Sequence, residues 1–175
     1  MRVLIHSGTA LEKINGNFYA AESWFRTPQW ISRSTKQLTL WAPVKERPPN
    51  FPIPPDRWHF KTDRMRVVPI DYFNSYVSCY KLWPKRSRAW ERDIGNLARE
   101  HDVVMVRTPT PLISLVSKAA YNMKKPLVAT VVGDILAQSD RIIGNRGLKK
   151  LLYTWAGKFL AWQETKCLHH AEKVW

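Results

Sequence analysis

Residues Asp102 to Asp134 read DVVMVRTPTPLISLVSKAAYNMKKPLVATVVGD, and this stretch decides the fold. Val103-Val104-Met105-Val106 is an unbroken apolar run, the pattern of a strand buried on both faces. Arg107 breaks the run, and Thr108-Pro109-Thr110-Pro111 makes a short loop able to cap a following helix. Leu112, Leu115, Val116, Ala119 and Met123 recur at helical spacing and give that helix one apolar stripe. Lys124-Lys125 suits its C-terminal end, and Pro126 stops it. Leu127 to Val132 is a second buried strand, ending at Gly133-Asp134. A helical crossover of this length returns the second strand parallel to the first, with a right-handed connection.

Neighbouring parallel strands lie roughly 5 Å apart, so Arg107 and Asp134 are expected on the same lip of the sheet. In open α/β sheets ligands bind beyond the carboxyl ends of the strands, near the point where strand order reverses. Arg107, Gly133 and Asp134 therefore form a candidate site, with a plain ion pair at a loop rim as the alternative.

A chain of 175 residues suffices for one domain with a sizeable core. Its 28 Lys and Arg against 14 Asp and Glu give a formal net charge of +14. Such an excess calls for an anionic partner: nucleic acid, an acidic membrane surface or a phosphate-bearing substrate. Cys79 and Cys167 lack metal-like spacing, and Met1-Arg2 leads straight into the strand-like run Val3-Leu4-Ile5 instead of a targeting segment. No stretch approaches the roughly 20 apolar residues of a membrane span. A reducing, cytoplasmic setting is expected.

MRVLIHSG opens as a buried strand closed by Ser7-Gly8. Neither the G-x-G-x-x-G dinucleotide fingerprint nor the G-x-x-x-x-G-K-[ST] phosphate loop follows, and no cofactor or metal is expected. Asn15-Gly16-Asn17 is read as a loop before a helix from Phe18 to Arg26, with Asn17 as N-cap and Thr27-Pro28 as its end. That loop is either a backbone cradle for an anion or a simple turn and cap. Gln37 to Val44 is the next strand, followed by an extended loop; together they hold six of the chain's 12 prolines. Arg66 to Ile70 supplies a third strand. Asp71 to Trp83 is read as a helix whose Tyr72, Phe73, Tyr76, Val77 and Tyr80 pack into the core. Pro84 resets the chain, and Ser87 caps a helix to Glu100 with Trp90, Ile94 and Leu97 buried and its basic residues solvated.

Past Asp134, a glycine-containing segment to Gly147 reads as a flap or linker. Leu148, Leu151, Leu152, Trp155, Phe159 and Trp162 then mark an amphipathic helix, expected to pack on the sheet. His169-His170 are adjacent, face different ways and suit a helix C-terminus better than a metal. Ala171 to Trp175 reads as the start of another strand, which suggests a piece of a larger protein.

With these pieces placed, the chain resembles the N-terminal, acceptor-side half of a GT-B glycosyltransferase, similar to the large retaining family four. The resemblance rests on MRVLIHSG, on the DVVMVRTP…KKPLVATVVGD unit and on the long basic helix running into HHAEKVW, and it covers nearly the whole chain. It implies a single Rossmann-like domain over 1–175, facing a C-terminal donor-binding domain that this chain lacks. It also implies transfer from a nucleotide-sugar to a glycan or lipid-linked acceptor, as in polysaccharide biosynthesis, with no activity by this half alone. Gly8, or Asn15-Gly16-Asn17, would lie near the diphosphate, on a donor-binding lip to which Ser7 and Arg107 also belong. Gly133 and Asp134 would lie near the transferred sugar, Asp134 being the catalytic candidate. Many relatives have a glycine pair in the first loop and a histidine near the second; this sequence has Asn-Gly-Asn and Gly-Asp. The reaction implied is assisted departure of the nucleoside diphosphate while the acceptor hydroxyl attacks the same face, which asks the protein for positioning and phosphate stabilisation.

A basic nucleic-acid-binding α/β module and a non-catalytic interaction domain are the alternatives; no nucleic-acid motif favours the first. The architecture expected is doubly wound, with helices on both faces of a mainly parallel sheet. Strands near 2–7, 37–42, 65–69, 102–107 and 127–132 should lie in spatial order 3-2-1-4-5. The basic stretches Lys85 to Arg99 and Lys149 to Lys158 are expected to attract anionic lipid, placing the chain peripherally on the inner face of the membrane.

Overall fold

The computed structural model describes residues 1–59 and 64–132, and beyond them 158–159, 161–162, 164–167, 169 and 173–174. The elements are β1 (Arg2–Ser7), β2 (Leu11–Ile14), β3 (Asn17–Ala21), α1 (Glu22–Ser34), β4 (Gln37–Glu46), β5 (Arg57–His59), β6 (Met65–Ile70), α2 (Tyr76–Glu100), β7 (Val103–Thr108), α3 (Ile113–Asn122), β8 (Leu127–Val131) and β9 (Lys173–Val174). The main sheet runs β6-β4-β1-β7-β8-β9, and every neighbouring pair in it is parallel. This is the order expected from the valine-rich runs, extended by β9 at Lys173–Val174.

Alternation along the buried strands sorts the core into two layers. Leu4, Val104 and Val106 meet Trp90, Ile94 and Leu97 of α2 and Val116 of α3 on one face. Val3, Ile5, Leu38 and Leu40 meet Trp24 of α1 on the other. Leu4, Leu38 and Leu40 are fully buried, each stabilising the fold by about 1.5–3 kcal/mol. Helices on both faces make the sheet doubly wound. At its amino edge the Asp102 carboxylate accepts the Arg2 backbone N–H at 2.6 Å, tying β1 to β7. Buried His101 lies 2.6 Å from the Leu97 carbonyl and 2.7 Å from the Thr39 hydroxyl, joining α2 to β4.

Several expectations need correction. First, Asn15-Gly16 does not lead into a helix at Phe18. Ile14 pairs with Asn17 across an antiparallel hairpin, and Asn15 and Gly16 are its two turn residues, with φ of 49° and 79°. Two consecutive positive φ values are what a tight hairpin needs, and Asn-Gly supplies them at low cost. Second, α1 starts at Glu22, with Ala21 and not Asn17 as N-cap, and continues through Pro28. Packing of Trp24 and Ile31 against the sheet outweighs the lost backbone bond. Third, Pro84 lies inside α2, which begins after Ser75 and not at Ser87. Ser75 and Ser78 form the reciprocal cap, and Cys79, Trp90, Ile94 and Leu97 keep one buried face on either side of the proline. The aromatic stripe ahead of Pro84 is not core: Phe73 is buried, whereas Tyr72, Val77 and Tyr80 are exposed. Phe159 and Trp162 are likewise exposed where the amphipathic pattern predicts burial. The segment 133–157 lies outside the described residues.

α3 ends before Pro126 is reached. The Lys124 N–H donates to the Tyr121 carbonyl at 3.0 Å and the Lys125 N–H to the Ala120 carbonyl at 2.9 Å. This paired closure places Lys124 at φ 51°, a left-handed conformation that favours glycine. Lys124→Gly is therefore expected to stabilise the fold by about 1 kcal/mol, read as a higher urea midpoint at unchanged slope. A lower midpoint would show that the lysine side chain matters more than the backbone strain.

Candidate functional site

Winding reverses between β1 and β7, because β4 and β6 lie to one side of β1 and β7, β8 and β9 to the other. At this switch point the register sets Ser7 opposite Arg107, and Arg107 opposite Thr130. The carboxyl edge there is built from two loops, 8–10 after β1 and 109–112 after β7.

Ser7 is buried, and its Oγ accepts the Trp24 indole N–H at 2.7 Å and the Thr9 backbone N–H at 3.2 Å. The side chain thus holds the start of the first loop and anchors α1 over it. On the other face His6 is fully buried. Its Nδ1 lies 2.8 Å from the Trp41 carbonyl, which can only accept, so Nδ1 carries the proton and donates. Nε2 is then the acceptor for the Thr110 hydroxyl at 2.9 Å. Desolvation by burial lowers the His6 pKa to about 4, against a smaller raising effect of the Trp41 carbonyl, so the ring is neutral. Thr110 in turn packs on Gly8: a Cβ there would come 3.0 Å from Thr110 Oγ1. Glycine lets the two loops touch, and any larger residue would push them apart. The Thr108–Pro109 peptide in the second loop is cis.

Arg107 extends from β7 on the face covered by α1. Burial lowers its pKa below the usual guanidinium value. Among the described residues no carboxylate lies within ion-pair distance of it. It lines a small open groove together with Ile5, Trp24, Ile31, Met105 and Val132. A charge that is partly stripped of water, has no carboxylate partner among the described residues and stands beside open space can take an anion.

The structure thus brings Ser7, Gly8 and Arg107 together. It does not bring Asn15-Gly16-Asn17 to them. His6 stands opposite Trp41 and Lys13 opposite Glu46, five residues further along β4, which is about 17 Å of strand. Asn15 Nδ2 donates to the Pro49 carbonyl at 3.2 Å, and Asn17 Oδ1 lies 3.2 Å from His59 Nε2. Both side chains serve the hairpin. Gly133 and Asp134 lie outside the described residues. Missing from the sequence reading were His6, Thr110 and the α1 wall of the groove. The signal for the first two was present as a buried histidine at the end of a strand and a threonine in a Pro-bounded loop, but nothing linked residues 104 apart.

No protein-family model matches the chain, and no curated protein matches it. Among solved structures, MurG from Acinetobacter baumannii aligns with 99% of this chain at 11% identity and a TM-score of 0.46. The chain spans 40% of the length of that structure. A likeness this loose concerns the course of the backbone and says nothing of the site.

Proposed function

We propose that this chain is the acceptor-side, Rossmann-like half of a GT-B glycosyltransferase of the retaining type. In this reading it moves a sugar from a nucleotide-sugar to a glycan or lipid-linked acceptor once a second, donor-binding domain faces it. The observation that supports it is the place of Arg107: a partly desolvated cation, unpaired among the described residues, beside the Ser7-Gly8 turn at the switch point of a doubly wound sheet. Phosphate-bearing ligands suit that combination of charge and position. Asp134 is proposed as the catalytic carboxylate and Gly133 as its neighbour at the sugar.

Half of such a cleft cannot close or exclude water. The test is a paired assay with radiolabelled nucleotide-sugar, using this chain alone and a form carrying the second domain. The chain alone should transfer nothing. In the longer form Arg107→Ala and Asp134→Ala should each lower turnover about 100-fold, the scale of one lost charge-stabilising group, at unchanged melting temperature. Transfer by the isolated chain, or full turnover in both variants, would refute the reading.

A lipid-linked acceptor would bring the chain to a membrane surface. No helix among the described residues is long and apolar enough to cross a membrane. The N-terminal half of α2 exposes Tyr72 just ahead of it, then Val77 and Tyr80, with Lys81, Lys85, Arg86 and Arg88 also exposed. Phe159, Trp162, Lys158 and Lys166 are exposed as well. Aromatic and basic side chains together suit an anionic interface. Liposome flotation should show binding that rises with anionic lipid content and disappears at high salt; equal binding to neutral vesicles would count against it.

A further inference from the structure

The groove beneath α1 has a composition that narrows its ligand. Ile5, Ile31, Met105 and Val132 make its walls apolar, and Thr27 and Thr130 are its hydroxyl-bearing residues. Among the described residues, Arg107 is its only charged lining residue. The arginines elsewhere in the fold with comparable cover are paired: Arg47 and Arg57 share Glu12. Arg107 has no such partner among the described residues, although it stands in mid-sheet between Ser7 and Thr130. A nucleotide-binding lip would want several donors converging on open solvent. One guanidinium set in a mostly apolar trough suits a ligand with one oxyanion and an otherwise uncharged body.

We infer that this groove is a subsite for an anionic saccharide, whose carboxylate or phosphate pairs with Arg107 while its ring lies between α1 and the ends of β7 and β8. The saccharide part rests on the glycosyltransferase reading and makes the groove the acceptor subsite. The oxyanion part rests on Arg107 and the groove alone. The guanidinium fork can take both oxygens of one anion, a geometry that lysine does not reproduce.

The experiment titrates glucuronate, glucose 6-phosphate and glucose into the 175-residue chain at physiological ionic strength, followed by backbone amide shifts. Both anions should bind roughly tenfold or more tightly than glucose, the difference expected of one charge-assisted hydrogen bond. The shifts should centre on Met105 to Thr108 and Thr130 to Val132. Whichever anion binds more tightly identifies the source of the charge. Arg107→Met should remove the preference and Arg107→Lys should keep part of it. Arg99→Met, an exposed change on α2, should leave it unaltered. Equal binding of glucose, or undiminished anion binding by a folded Arg107→Met chain, would overturn the inference. Acetate and inorganic phosphate binding as tightly as the sugar anions would overturn its saccharide part. No donor is present in this titration, so its failure would leave the glycosyltransferase reading standing. Conversely, absence of sugar transfer in the longer form would leave the binding result intact.

Discussion

Glu12→Gln is expected to cost about 3–5 kcal/mol of stability, because it leaves two partly buried guanidinium groups facing a neutral amide. In the folded chain the Glu12 carboxylate is nearly enclosed. Its Oε1 accepts from Arg47 Nη2 at 2.5 Å and Nε at 3.1 Å, and its Oε2 lies 3.5 Å from Arg57 Nε. Arg47 also stacks on Phe51 at 4.3 Å. One carboxylate thus joins β2, the end of β4, the proline-rich loop and β5. Lys13 and Glu46, which pair at 2.8 Å beside this cluster, are much more exposed, so Lys13→Ala should cost less than about 1 kcal/mol. Urea unfolding of both variants compares a buried ion cluster with a surface pair one residue away. A small, similar loss in both would show that the ribbon yields and rehydrates its arginines. Replacing Glu12, Arg47 and Arg57 together with apolar residues of similar volume should recover most of the loss.

Acid is expected to destabilise the protein well before its carboxylates titrate. His6 is neutral in the fold with a pKa of about 4, against 6.5 when unfolded. The unfolded chain therefore binds a proton below pH 6.5 that the native chain refuses until about pH 4. Stability is full above the upper value, falls as pH drops between the two, and levels off below the lower one. Linkage gives a loss of about 2 kcal/mol between pH 7 and pH 5, and about 3 kcal/mol by pH 4. His101 is shifted down as well, chiefly by burial, and adds to the loss in the same direction. Carboxylates contribute little above pH 5. Urea unfolding at pH 7, 6 and 5 should thus show a steady decline, and His6→Gln should flatten the part owed to position 6. A flat profile from pH 7 to pH 5 would mean that His6 is protonated in the native state, which its contact with the Trp41 carbonyl alone would not prevent.

Much of the main sheet was legible because its information is local. Val103 to Val106 and Leu127 to Val131 are short apolar runs bounded by polar or proline residues, and only buried parallel strands suit them. The reversal of order followed from the helical crossovers. What was not legible depended on tertiary choices. Leu11 to Ile14 is interrupted by Glu12 and Lys13, so it does not look like a strand until Arg47 and Arg57 are seen to neutralise the glutamate. Asn15-Gly16 suits a hairpin turn as well as a loop before a helix, and only the partner strand decides. Pro28 and Pro84 stop isolated helices, but here buried tryptophans on α1 and α2 hold both helices together across them. Misplacing α1 hid the groove, since Thr27 and Ile31 then fell outside a helix. Arg107 and the Ser7-Gly8 turn were legible because strand ends are where the periodic pattern stops.

β4 carries one further consequence. Its ten residues outrun β1: Gln37 to Trp41 are held by β1, while Val44 to Glu46 reach past it and pair with β2. The ribbon of β2, β3 and β5 is therefore held twice, by the overhanging end of β4 and by α1, whose Trp24 is buried with Leu11 and Ala20. A load on the hairpin tip at Asn15-Gly16 is shared between β4, whose Trp41 carbonyl holds His6 and, through it, Thr110 and the Gly8 turn, and α1, whose Trp24 donates to Ser7. Displacement of the ribbon would change the gap between the two loops at the switch point. The outlying ribbon and the lip, about 17 Å apart along the strand, are thus mechanically coupled.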